Sequence, residues 1–169
     1  LATRKSFMKF LTLENGQLGA LVGETVVDLV SAAAALSVDL KTGTFESLVH
    51  AGDKAAAECW ALAQQAVEKR CACRPFNEVK PGAPIPLPRR NISCLGKNYL
   101  EHAQEIAEKM QVSGDAPRKP IIFTKATTAV IAAGEPIPCY PDYTRKVDYE
   151  AELALIIGKG GCDITPANA

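Results

Sequence analysis

The chain carries no excess of charge: 19 Lys and Arg stand against 19 Asp and Glu in 169 residues, a formal net charge of zero with a pI near 6.9. Binding to nucleic acid or to an anionic membrane needs a basic footprint, so neither is expected, whereas small molecules and other protein chains are. Long hydrophobic runs are also missing. The longest apolar stretch, residues 26–40, is cut by Asp28 and Asp39 and stops short of the ~20 residues that span a bilayer, so a soluble protein is expected. No apolar segment follows the basic Arg4 and Lys5, so no secretory signal is visible, and the opening Leu1 in place of Met leaves the native start open. Six cysteines are too sparse for a disulfide scaffold. Cys71 and Cys73 form C-x-C, Cys59, Cys94, Cys139 and Cys162 stand apart, and none of these spacings encodes zinc. Reduced thiols in a cytoplasmic or mitochondrial-matrix protein are the expectation. There is no repeat and no low-complexity tract, and 47% apolar with 22% charged residues is an ordinary folded composition.

A chain of this length buries roughly 70% of its unfolded surface and needs no staples. Residues 6–14 and 17–22 flank Asn15-Gly16, a dipeptide that favours a type I′ turn, so the chain is expected to open with a β-hairpin. Residues 44–51 read as a short helix stopped at Gly52, after which Asp53 caps a second helix with Ala56, Trp60, Ala63 and Val67 along its core face. Prolines at 75, 81, 84, 86 and 88 deny this stretch both helix and central-strand pairing. The expected organisation is α+β: a small α/β domain over 1–80, a proline-rich linker over 81–90, and a mainly β domain from 91. That second domain reads as a strand at 92–96, a helix at 100–111, a polar loop at 111–120, and strands at 121–125, 129–132 and 146–158.

The alternation of the last segment carries the most information. As a strand it puts Val147, Tyr149, Ala151, Leu153, Leu155 and Ile157 on one face and Asp148, Glu150 and Glu152 on the other. Same-face neighbours lie roughly 6.6 Å apart, so two Glu side chains can converge on one ion; a solvated edge-strand face fits the same pattern. His102 and Glu105, at i and i+3 of the expected helix, share a face on which a carboxylate orients an imidazole, the outline of a general-base pair. A surface histidine beside an acid is the alternative, and His50 reads as structural.

Taken together these motifs resemble the fumarylacetoacetate hydrolase family over residues 84–158: Gly96, Asn98 and Tyr99 followed by His102 and Glu105, then Pro120, Phe123 and Lys125, then Asp148-Tyr149-Glu150-x-Glu152 running to Gly158. The resemblance implies a β-sandwich-like roll around a divalent ion, Mg2+ with Mn2+ or Ca2+ as substitutes, and a short oxo acid as substrate, in a homodimer. It implies that Glu150 and Glu152 are metal ligands, that His102 and Glu105 are the dyad that activates water or moves a proton, and that Lys125 lies near the substrate's carboxylate or developing enolate. The first activity it suggests is hydrolysis of a carbon–carbon bond in a 2,4-dioxo acid; oxaloacetate decarboxylation, isomerisation, or a non-catalytic role are alternatives. The family's third metal carboxylate, a second lysine and a Gly-Pro stretch have no counterpart before Ala169. The chain therefore reads as an N-terminal portion, expected to be completed by a further segment of order a hundred residues and to be poorly folded without it.

Overall fold

The computed structural model describes residues 7–101, 104, 107–108 and 119–168. Two compact units emerge, Leu1–Ile85 with Ile131–Ala169, and Pro86–Val130. The first is built on a four-stranded antiparallel sheet in the order β1 (Phe10–Thr12), β2 (Leu18–Val22), β3 (Thr25–Asp28), β4 (Cys73–Pro75), with helices α1 (Leu29–Leu36) and α2 (Phe45–Glu68) inserted between β3 and β4.

Alternation along these strands dries both faces of the sheet. Ala20 pairs with both Phe10 and Val27, and this face packs under the helices in a core of Leu18, Ala20, Val27, Leu29, Ala33, Leu48, Cys59, Leu62, Ala63 and Ala66. The intervening residues Leu11, Leu21 and Val26 point the other way and gather with Leu13 and Val79. Trp60, expected in the core, is half-buried, edge-on to the Phe10 ring with centroids 6.0 Å apart.

Local chemistry sets the element ends. Asp28 caps α1 by accepting from the Ser31 amide at 3.0 Å, and Ser37 closes it in the left-handed region. Thr44 and Ser47 cap α2 reciprocally, each side chain accepting from the other's backbone amide. Gly52, at φ 78° and ψ −168°, breaks α2 into the two helical pieces that the sequence indicates. The hairpin also forms, with a different turn: Gly16 has positive φ and Asn15 does not, and the Gly16 amide donates to the Leu13 carbonyl at 2.9 Å. This is a three-residue connection closed by a left-handed glycine, not the type I′ turn expected. The Asn15 side chain favours it by accepting from the Gln17 amide at 3.0 Å.

Four hydrogen bonds tie the later chain to the hairpin. The Gly82 amide donates to the Thr12 carbonyl at 2.8 Å, and Thr12 Oγ1 donates to the Pro84 carbonyl, also at 2.8 Å. Glu14 accepts from the Lys80 amide at 2.9 Å and from Arg74 Nη2 at 3.1 Å.

The second unit contains an antiparallel ribbon of β5 (Ile92–Gly96) and β6 (Ile121–Lys125), both as read from the sequence. Leu100, Glu101, Gln104, Ala107 and Glu108 are helical. Two expected strands are absent. Thr127–Ala129 is a 3-10 turn leading into irregular chain, and residues 146–158 form no helix or strand, with Tyr149 87% and Leu153 80% exposed. Alternation makes a segment competent to be a strand; hydrogen bonding to a neighbour makes it one, and no ladder pairing among the described residues includes this segment.

The Glu14 clasp gives a pH signature. The Lys80 amide foremost, then the Glu14 amide and the Arg74 guanidinium, hold its carboxyl down from the ordinary 4.5 to about 2. A carboxyl depressed on folding contributes stability that is complete above its unfolded value and lost as pH falls through the folded one. Glu14→Gln should therefore unfold at lower urea than wild type at pH 7, with the gap closing between pH 4.5 and about 2. A gap that does not vary with pH would assign the effect to packing.

Candidate active site

The site residues that the structure describes, Lys125, Glu150 and Glu152, lie on two separate segments. Lys125 ends β6, opposite Ile92, whereas Gly96 pairs with Ile121. Four residues of strand, roughly 13 Å at 3.3 Å per residue, thus separate Lys125 from the end of the ribbon at which the Gly96–Tyr99 motif begins. Lys125 is exposed. Its aliphatic stem leaves the ammonium free to meet a carboxylate or an enolate oxygen as a compact point charge. His102 and Glu105 lie outside the described residues.

The turn out of β5 shows a feature that the sequence did not announce. Lys97 takes φ 54°, in the left-handed region, where a side chain costs about 1–2 kcal/mol. This residue reverses the chain between the strand and the helical residues from Leu100 onward. A backbone constraint therefore stands at the position that launches the expected base-bearing segment, and a lysine gives no propensity signal for it.

Glu150 and Glu152 are exposed on the irregular segment 146–158, where Asp148 Oδ1 accepts from the Tyr149 amide at 2.9 Å. Their hard carboxylate oxygens suit Mg2+, Mn2+ or Ca2+ in kind. They are short in number. Among the described residues no three His, Cys, Asp or Glu side chains gather as a metal-binding group, so these residues alone do not make a coordination shell.

One concavity in the first unit was not read from the sequence. It has a volume of about 490 Å3 between residues 38–42 and α2, with Leu40, Ala55, Cys59 and Leu62 on its apolar side and Lys41 and Glu58 among its charged residues. None of the expected site residues lines it.

Two measurements check these assignments. Lys97→Gly, which removes the Cβ penalty at a left-handed residue, should raise stability toward urea by about 0.5–1 kcal/mol; a loss would show that the lysine side chain outweighs the strain. Isothermal titration of the intact protein with Mg2+ and Mn2+ should show weaker binding in the double variant Glu150→Gln, Glu152→Gln than in wild type. Equal binding removes both carboxylates from the ligand set.

Comparison with known proteins gives these segments a context. Residues 91–169 match the family model described as fumarylacetoacetate (FAA) hydrolase C-terminal. Oxaloacetate tautomerase YisK of Bacillus subtilis is 36% identical over 172 aligned residues, covering 96% of this chain and 56% of that protein. A mitochondrial oxaloacetate tautomerase of Xenopus laevis, fahd2, is 37% identical over 87 residues, covering 52% of this chain and 25% of that protein. A crystal structure of an HpcE-like protein from Mycobacterium smegmatis aligns with a TM-score of 0.47 at 24% identity, over 78% of this chain and 40% of that one. The chain thus spans about half the length of the Bacillus relative. The model match from residue 91 onward and the YisK similarity along nearly the whole chain agree with the motifs at Gly96, Lys125 and Glu150, and residues 91–169 belong to the fumarylacetoacetate hydrolase family.

Proposed function

We propose that this chain is part of an enzyme that interconverts the keto and enol forms of oxaloacetate or a closely similar short 2-oxo dicarboxylic acid. The observation that carries the proposal is the 36% identity to an oxaloacetate tautomerase along 96% of this chain. A second relative, also named an oxaloacetate tautomerase, supports it. This reading takes precedence over carbon–carbon hydrolysis of a 2,4-dioxo acid, which has only family membership behind it.

Tautomerisation sets a smaller chemical task than hydrolysis. One proton leaves the carbon beside the carbonyl and one reaches the carbonyl oxygen, so a base and a means of holding enolate charge suffice and no water attacks. In the proposed arrangement His102, oriented by Glu105, takes the carbon-bound proton, and the pair returns it on the reverse path. The Lys125 ammonium offsets charge on the substrate's carboxylate or on the enolate oxygen as it develops. The divalent ion implied by the family resemblance, with Glu150 and Glu152 among its ligands, would polarise the substrate carbonyl when bound. Site residues drawn from such separated segments suit a homodimer of a longer chain, which sedimentation of the full-length protein would check.

The test follows enol absorbance after dissolving oxaloacetate, with and without full-length protein. Accelerated relaxation to the keto–enol equilibrium with no release of carbon dioxide is the expected result. His102→Ala should slow it by ~10²–10⁴-fold, the usual contribution of a general base, while Mg2+ affinity stays unchanged. Relaxation at the uncatalysed rate, accompanied by decarboxylation or by cleavage of an acylpyruvate, would overturn the reading in favour of those activities.

A further inference from the structure

The connection from α2 into β4 carries two thiols that the proposed reaction does not use. Arg70 at φ 52° and Ala72 at φ 53° both sit in the left-handed region, which non-glycine residues enter at a cost. Backbone bonds hold them there. Arg70 N donates to the Val67 carbonyl at 3.1 Å, Cys71 N to the Ala66 carbonyl at 3.0 Å, and the Ala72 carbonyl accepts from Asp28 N at 3.0 Å.

This conformation sets the span between Cys71 and Cys73. With the helical rise of 1.5 Å, radius of 2.3 Å and turn of 100° per residue taken in mirror image, a left-handed residue places its two neighbours' Cα atoms about 5.4 Å apart. An extended residue would place them roughly 6.6 Å apart. Disulfides favour Cα separations of roughly 5.5–6 Å, so the turn at Ala72 shortens the span toward the favoured range. The Cys73 side chain also folds back over the turn, with Sγ donating to the Cys71 carbonyl at 3.1 Å and reaching the Ala66 carbonyl at 3.6 Å. Both cysteines are only half-buried, within reach of a small reagent. Burial pushes the Cys73 thiol up, and the charge of a nearby Cys71 thiolate adds to the shift, in keeping with two neighbouring sulfurs.

We propose that Cys71 and Cys73 form a reversible dithiol–disulfide site that exchanges with small-molecule disulfides of the glutathione type. The Cys71 thiolate attacks one sulfur of the small disulfide and expels one thiolate. The deprotonated Cys73 sulfur then attacks Cys71 Sγ, closes the intramolecular bond and expels the second thiolate. Two electrons pass from the protein to the small disulfide, and the two thiols released take up the two protons that the cysteines lose. A ring closed across one intervening residue is strained, and strained disulfides are the more oxidising and labile ones. Excess thiol therefore reopens the bond. Oxidation would pin the residues that lead α2 into β4.

The test equilibrates the full-length protein that contains this chain with increasing ratios of oxidised to reduced glutathione, blocks remaining thiols with N-ethylmaleimide, and digests with trypsin. Cleavage after Arg70 and Arg89, with Arg74-Pro75 and Lys80-Pro81 resistant, puts both cysteines on one peptide, residues 71–89. The expected result is that this peptide loses both maleimide sites together and weighs two hydrogens less, that dithiothreitol restores the sites, and that Cys73→Ser retains one glutathionyl group on Cys71. A wild-type peptide that keeps both maleimide sites in fully oxidised glutathione, or that carries a glutathionyl group on each cysteine, overturns the proposal.

Discussion

Everything in the first unit depends on drying both faces of a sheet whose strands are only three to five residues long. Short strands contribute few ladder bonds, and sheets this small persist only when packing compensates. Here the residues between sheet and helices include the small Ala20 of β2, Ala32 and Ala33 of α1, and Ala63 and Ala66 of α2, all buried. Small side chains on both sides let helix and sheet backbones approach closely while Leu18, Val27, Leu29 and Leu62 fill the space between them. Among the described residues no α-helix contributes to the cluster on the opposite face. It is closed by Val79 against Leu13 and Val26, which makes the chain just after β4 part of the core and makes the clasp of Glu14 on Lys80 and Arg74 more than surface ornament.

Where the sequence told the fold, the signal was local. Gly52 ends one helix and begins another because its backbone takes an angle that few other residues tolerate, and that is legible in one letter. Asn15-Gly16 likewise announced a reversal, although the turn type depended on which residue took the positive φ. β4 was invisible because Cys73-Arg74-Pro75 has no alternation and becomes a strand through Val26 and Val27, almost fifty residues away. Residues 146–158 erred in the opposite direction, since a strong period of two without ladder bonds among the described residues remains irregular chain.

The candidate site divides in the same way. Lys125 was legible as the end of a strand, and the register adds that it stands at the far end of the ribbon from Gly96. The left-handed Lys97 was not legible, because nothing in a lysine predicts positive φ. The pairing of Glu150 with Glu152 on one face was inferred from strand periodicity and stands or falls with the pairing of that strand. Belonging to the family brings these residues into one functional frame; the chemistry of each still has to be tested where it sits.

The bonds from residues 82–84 to Thr12 have a consequence for solubility. In the antiparallel pairing of β1 with β2, Leu13 N donates to Gln17 O, and Leu21 N to Lys9 O, which turns the polar groups of Thr12 toward the open side of the sheet. An open edge of this kind is a template on which a foreign strand can add. Gly82 occupies the Thr12 carbonyl, and the chain lying there has prolines at 81, 84, 86 and 88, each without an amide hydrogen to offer outward. The proline-rich stretch thus acts as a terminator for β-pairing, guarding this side of the sheet against growth from one molecule into the next.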